Sequence, residues 1–214
     1  MRITDFKKFF KIILFILLFG VFCFRFTSGL NFYPLYGDEQ DFVARARYFD
    51  LFFIKRDFLN KDWQSELAYD HPPIAYYIYG LTLHLKGYND LAKEQERIGF
   101  NVSRLDEAVL GWSIADLPSV LLPSFKMIWQ ARKAAVVFSL GCLLLIYFLG
   151  LEIGGFATGL FSVLILGFNQ LMFNTGRRAI ADSILLFFFL ANVLLIIYTL
   201  KFFYKKQALE FLGS

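Results

Sequence analysis

Residues 134–173 read AAVVFSLGCLLLIYFLGLEIGGFATGLFSVLILGFNQLMF. A helix that crosses the hydrocarbon core of a bilayer needs about 20 predominantly apolar residues. The stretch is long enough for two such helices, placed at 134–151 and 156–173. Gly154 and Gly155 mark the tight turn between them. Gly155 and Gly159 have the small-xxx-small spacing that lets helices approach closely. Working outward, a further apolar run follows at 183–204, and another occupies 9–30 near the N-terminus.

Composition agrees with that reading. Of the 214 residues, 57% are hydrophobic and 20% aromatic, with 28 Phe, and the mean hydropathy is +0.53. These values mark an integral membrane protein. The net charge of +4 fits Lys and Arg on the cytoplasmic side. No basic stripe interleaved with stacking aromatics lies outside the apolar runs, so no nucleic-acid partner is expected. Cys23 and Cys142 both lie within apolar runs and read as small buried residues, with no disulfide framework. No Cys/His cluster has zinc spacing.

The first run follows Arg2, Lys7, Lys8 and Lys11. It is longer than the apolar part of a signal peptide, and no small-x-small cleavage site follows, so it reads as an anchor with a cytoplasmic N-terminus. Arg25 sits near its outer end, where a long side chain can snorkel to the interface. The run 72–85 is too short to span and holds Tyr76, Tyr77 and Tyr79. Tyrosines favour the headgroup layer, so the segment reads as a helix against the outer surface, with Pro72 and Pro73 in its first turn. Residues 86–130 are mixed and polar, broken by Pro118 and Pro123, with helical stretches expected near 90–98 and 105–110. If the 72–85 helix does not cross, residues 31–130 and 174–182 lie outside, and Lys201, Lys205 and Lys206 lie inside. That order obeys the positive-inside rule at the C-terminal lysines and violates it at Arg177 and Arg178.

Charged groups at membrane borders are costly and point to function. Asp38 and Glu39 follow the first span. Adjacent side chains on a turning segment point different ways, so one of the two faces a given substrate. Asp38 reads as a general base or as part of a solvated turn or helix cap. Asp70 and His71 precede Pro72. They could contact a phosphate or hold a divalent cation, or Asp70 could cap the next helix. Arg177 and Arg178 precede Asp182. The guanidinium pair suits a lipid phosphate, or it anchors a cytoplasmic loop or pairs with Asp182; Arg132 has the same first two readings. His84 reads as an interface residue, and Asn101-Val102-Ser103 matches a glycosylation triplet.

In this order, these residues resemble the GT-C class of membrane glycosyltransferases, nearest the protein O-mannosyltransferase and lipid A aminoarabinose transferase superfamily. The residues that carry the resemblance are Asp38-Glu39 after one anchor helix, then Tyr69-Asp70-His71-Pro72-Pro73 opening an aromatic helix, then Arg132 entering a span, then Arg177 ahead of Asp182. It covers nearly the whole chain, with an insertion at 86–130. The resemblance implies transfer of a sugar from a polyprenyl-phosphate donor to an acceptor, whether protein, lipid or glycan, on the outer face of the cell membrane. It implies that Asp38 is the base, with inversion. It also implies that Asp70 and Asp182 help shape the donor or metal site, and that the arginines hold the departing phosphate. Members carry more spans, so the chain is expected to be an N-terminal portion.

The expected fold class is all-α: a polytopic membrane protein with about four transmembrane helices and juxtamembrane helices on a large first outer loop, a truncated GT-C fold. Its parts are residues 1–30, 31–131 and 132–214. Two further readings stand beside the transferase: a non-catalytic membrane subunit packed against another chain, and a small transporter. The near absence of charge inside the apolar runs argues against a conduction path.

Overall fold

The computed structural model of the chain describes residues 3–64, 72–91 and 123–212. Asp70, His71, the 101–103 triplet and the helices expected at 90–98 and 105–110 lie wholly or mostly outside the described residues. The described residues are helical, with no strand among them. Three helices are long and apolar enough to cross a membrane: Lys7–Phe32, Phe125–Phe168 and Asp182–Tyr204. The chain divides into two compact units, Met1–Tyr33 with Ala135–Ser214, and Pro34–Ala134.

The first unit contains α1 (Ile3–Thr27), most of α5 (Phe125–Phe168), the short α6 (Gln170–Thr175) and α7 (Asp182–Leu212). A straight helix of the 44 residues in α5 would be about 66 Å long, twice the roughly 30 Å of a bilayer core. The helix does not run straight. Gly155 has φ 78° and ψ −165°, a backbone conformation that glycine alone adopts cheaply. A Cβ on Gly150 would lie 2.7 Å from the Cα of Gly159, whereas nine residues of straight helix separate those positions by about 13.5 Å. Residues 125–154 and 156–168 are therefore the two arms of a hairpin. The turn at Gly154-Gly155 is where the sequence places it. The close approach of small residues uses Gly150 with Gly159, not Gly155 with Gly159.

Contacts along the unit fix the helix directions. Lys11 sits 5.3 Å from the Phe156 ring and Phe22 lies 5.1 Å from Phe168, so α1 and the second arm run parallel. The Cys142 thiol is 3.5 Å from the Ser183 carbonyl, and Glu152 pairs with Lys201, so α7 runs parallel to the first arm. One end of the unit thus carries Lys11, Gly155 and Lys201. The other carries Ser28, Tyr33 and residues 174–182. Phe22, Phe26, Val136, Leu143, Tyr147 and Val163 fill the core between the helices. The expected span 156–173 is interrupted at Asn169, whose ψ of 125° leaves the helix and whose Oδ1 accepts the Met172 N–H at 2.9 Å. An Asn cap satisfies a backbone donor that an uncapped restart would leave open.

The second unit holds α2 (Gly37–Ala44), α3 (Arg47–Phe49) running into a π-helical turn (Asp50–Ile54), α4 (Ile74–His84) and the opening turns of α5. Its core is Phe42, Val43, Tyr48, Tyr76, Tyr79, Leu83, Met127 and Ile128, all buried. The tyrosine reading of α4 is corrected here. Tyr76 and Tyr79 are fully buried, the Tyr76 ring lies 5.8 and 6.3 Å from those of Phe42 and Tyr48, and Tyr77 packs on Phe52 and Phe53. Period alone could not show that these amphipathic rings were spent inside the unit. The expected polar stretch ending at 130 also gives way, because α5 is already helical from Phe125 and buries Met127, Ile128 and Ala131.

Candidate functional site

In the second unit, Tyr36 lies in extended conformation ahead of α2. Its N–H donates to the Glu39 Oε2 at 3.0 Å, while the Glu39 N–H donates to the Tyr36 carbonyl at 3.0 Å. This reciprocal arrangement starts the helix. It turns Glu39 inward, fully buried, and leaves Asp38 exposed on the first turn, where the helix dipole favours a carboxylate. A buried carboxylate requires a partner, and Arg132 supplies it. The Arg132 Nε donates to Oε1 at 2.7 Å and a terminal nitrogen donates to Oε2 at 2.7 Å. The same terminal nitrogen reaches the Pro34 carbonyl at 3.1 Å. Glu39 and Arg132, both candidate site residues, thus form a fork-to-fork ion pair. The Asp38 side chain makes no hydrogen bond or ion pair among the described residues.

Two further polar clusters in this unit escaped the sequence reading. Arg45, buried, holds Asp41 one turn back at 3.0 Å through Nε and donates to the Tyr76 hydroxyl at 2.6 Å. Asp50, also buried, accepts the Leu91 N–H at 2.7 Å and contacts the His84 Nε2. His84 is therefore held by Asp50 at the far end of α4, a partner that the sequence reading did not assign to it. The i,i+4 spacing of Asp41 and Arg45 was a usable signal; the 34-residue separation of Asp50 and His84 was not.

In the first unit, three arginines gather about three aromatic rings at the end that carries residues 174–182. Arg177 is buried, donates to the Ser28 carbonyl, and its guanidinium carbon lies 4.5 Å from the Tyr33 ring and 4.8 Å from Phe173. Arg178 lies 5.5 Å from Tyr33. Arg25 lies 4.3 Å from Phe173 and 5.5 Å from Phe168. Its Nε is buried without a hydrogen-bond partner among the described residues. Cation–π contact lowers the cost of holding guanidinium groups out of bulk water without neutralising them. Tyr33 is held in turn by its hydroxyl, which donates to the Asn174 Oδ1 at 2.8 Å. The Ser139 hydroxyl lies 3.1 Å from the Gly176 carbonyl oxygen and ties the loop to the first arm of α5. Asp182 opens α7, exposed, on the rim of a cavity of about 260 Å³ that Ser183 also lines.

Asp38, Glu39 and Arg132 belong to the second unit, and Arg177, Arg178 and Asp182 to the first; Asp70 and His71 lie outside the described residues. Among the described residues, no three His, Cys, Asp or Glu side chains come together as a metal site. Comparison with protein-family models, with curated proteins and with solved structures gives no match in any of the three.

Proposed function

We propose that the chain is a membrane glycosyltransferase of the GT-C type, moving a sugar from a polyprenyl-phosphate donor to an acceptor hydroxyl at the outer face of the cell membrane. The observation that carries this reading is the Arg25–Arg177–Arg178 cluster at one end of an apolar helical unit. A lipid phosphate is a dianion or monoanion fixed at such a depth, and guanidinium groups are the side chains best suited to it. In this reading α1, the two arms of α5 and α7 make four crossings, with the N-terminus, Gly155 and Lys201 cytoplasmic. The acceptor oxygen attacks the anomeric carbon with inversion. Asp38 takes the hydroxyl proton as the C–O bond to phosphate breaks, and the arginines stabilise the charge that gathers on the leaving phosphate. Of the acidic pair, Asp38 is the one left available, since Glu39 is engaged by Arg132. Asp70 and His71 are proposed to contact the donor, directly or through a divalent metal.

The test is turnover of a panel of radiolabelled polyprenyl-phosphate sugars in membranes containing the full chain. Asp38→Asn should lower transfer by about 10²–10⁴-fold, the usual worth of a general base, with membrane insertion unchanged. Unchanged transfer in that variant removes the base; no turnover of any donor by the wild type removes the transferase. A second reading, a non-catalytic subunit, is favoured by the small share of α1 and α7 buried within the chain, 11% and 17% of their most apolar windows. Its signature would be co-purification with a partner chain and no turnover in isolation.

A further inference from the structure

The cavity beside α7 is chemically unlike the arginine cluster. It is floored by apolar groups, among them Leu166, Met172 and Leu186, and edged by Asn169, Asp182 and Ser183. Its volume of about 260 Å³ is below the roughly 300–1,000 Å³ of sites for drug-sized ligands, so it suits one small ring. Ser183 is 1% exposed, and its Oγ has no hydrogen-bond partner among the described residues. A buried hydroxyl left unpaired is costly, and such a group in a cavity wall points to a ligand that would satisfy it. The other polar groups alternate in kind. The Asp182 carboxylate accepts. The Asn169 Oδ1 is occupied by the Met172 N–H, which leaves its amide nitrogen as a donor. The Thr175 hydroxyl, another lining group, donates to the Leu171 carbonyl at 2.9 Å and keeps its oxygen as an acceptor.

We propose that this cavity is a subsite for a neutral, polyhydroxylated ring, with Asp182 and Ser183 binding ring hydroxyls and the aliphatic floor meeting the ring's C–H face. Asp182 repels a phosphate by like charge, which assigns anions to the arginine cluster and not to this cavity. A quaternary ammonium group favours aromatic walls, and none of the lining residues is aromatic. A ring hydroxyl both donates and accepts, so it matches a wall of mixed donors and acceptors. That the ring is the sugar being transferred rests on the proposed function; that a ring binds here does not.

The test uses the full chain in phosphatidylcholine nanodiscs, with saturation-transfer NMR against methyl hexosides and pentosides, ethanolamine and inorganic phosphate. At least one glycoside should receive saturation from the protein methyl groups. Asp182→Asn and Leu186→Trp should each weaken it by tenfold or more. Ser183→Ala separates binding from folding: it should leave the ligand-free thermal midpoint unchanged or higher, because an unpaired hydroxyl is removed, while weakening the glycoside about three- to tenfold. Binding of ethanolamine or phosphate in place of any glycoside overturns the proposal. So does binding that Asp182→Asn and Ser183→Ala leave unchanged, or no binding of any glycoside. Glycoside binding without turnover of any donor retains the subsite and removes the transferase. Turnover that Leu186→Trp and Ser183→Ala leave intact does the reverse.

Discussion

At the scale of the residue, Glu39 and Arg132 make the sharpest case. Both are almost wholly inaccessible and joined by two hydrogen bonds of 2.7 Å. Removing one member leaves the other charge buried without its counter-charge, which costs about 3–5 kcal/mol. Glu39→Gln should therefore lower the thermal midpoint of the detergent-solubilised chain markedly. Glu39→Leu with Arg132→Met, which removes both charges, should recover most of the loss. A double variant no more stable than the single ones would show that the pair is not a closed unit. The sequence marked both residues as chemically important but could not join them, because 93 positions separate them. Asp38 and Glu39 look interchangeable in the chain. Only the reciprocal bonds of Tyr36 with Glu39 decide which one turns inward. The buried Ser183 hydroxyl was likewise illegible, since one serine at the mouth of an apolar run is unremarkable until its lack of a partner among the described residues is visible.

At the scale of the element, periodicity and length did most of the work where one helix suffices to bury its own backbone. The apolar run of α1, the glycine turn of α5 and the onset of α7 at Asp182 were all readable. The failures lie where one element uses another. In α4, Gly80 packs against α3 so closely that an added Cβ would collide with the Phe49 side chain and lie 2.8 Å from the Ala46 carbonyl oxygen. In sequence it is one glycine in a tyrosine-rich helix. Gly80→Ala should force α3 and α4 apart and cost about 1–3 kcal/mol or more by overpacking, although alanine is the better helix former. Thermal unfolding of the full chain checks the sign: a gain in stability would show that the contact yields.

At the scale of the whole molecule, the chain divides between 33 and 34 and between 134 and 135, and α1 shares one compact unit with most of α5, α6 and α7. Helix direction within that unit predicts labelling. In a variant lacking Cys23 and Cys142, single cysteines at positions 28 and 178 should react with an impermeant maleimide from one side of sealed vesicles. Cysteines at 8 and 154 should react only from the other. Labelling of 28 and 178 from opposite sides would contradict the parallel course of α1 and the second arm of α5. The turn within the 44-residue α5 was legible from Gly154 and Gly155, but the helix restart at Asn169 was not, because a single asparagine in an apolar run does not show that the backbone leaves the helix there.

The separation of partners along the chain also sets a timetable for synthesis. The core mates of α1, Val136 through Val163, emerge more than a hundred residues after Phe22 and Phe26. At about 5–20 residues per second, α1 is synthesised several seconds before those core partners. Over the same interval Glu39 has left the ribosome while Arg132 has not. The second unit can close around its carboxylate only as α5 begins to appear, so the two events are coupled in time by the position of a single arginine near the head of that helix.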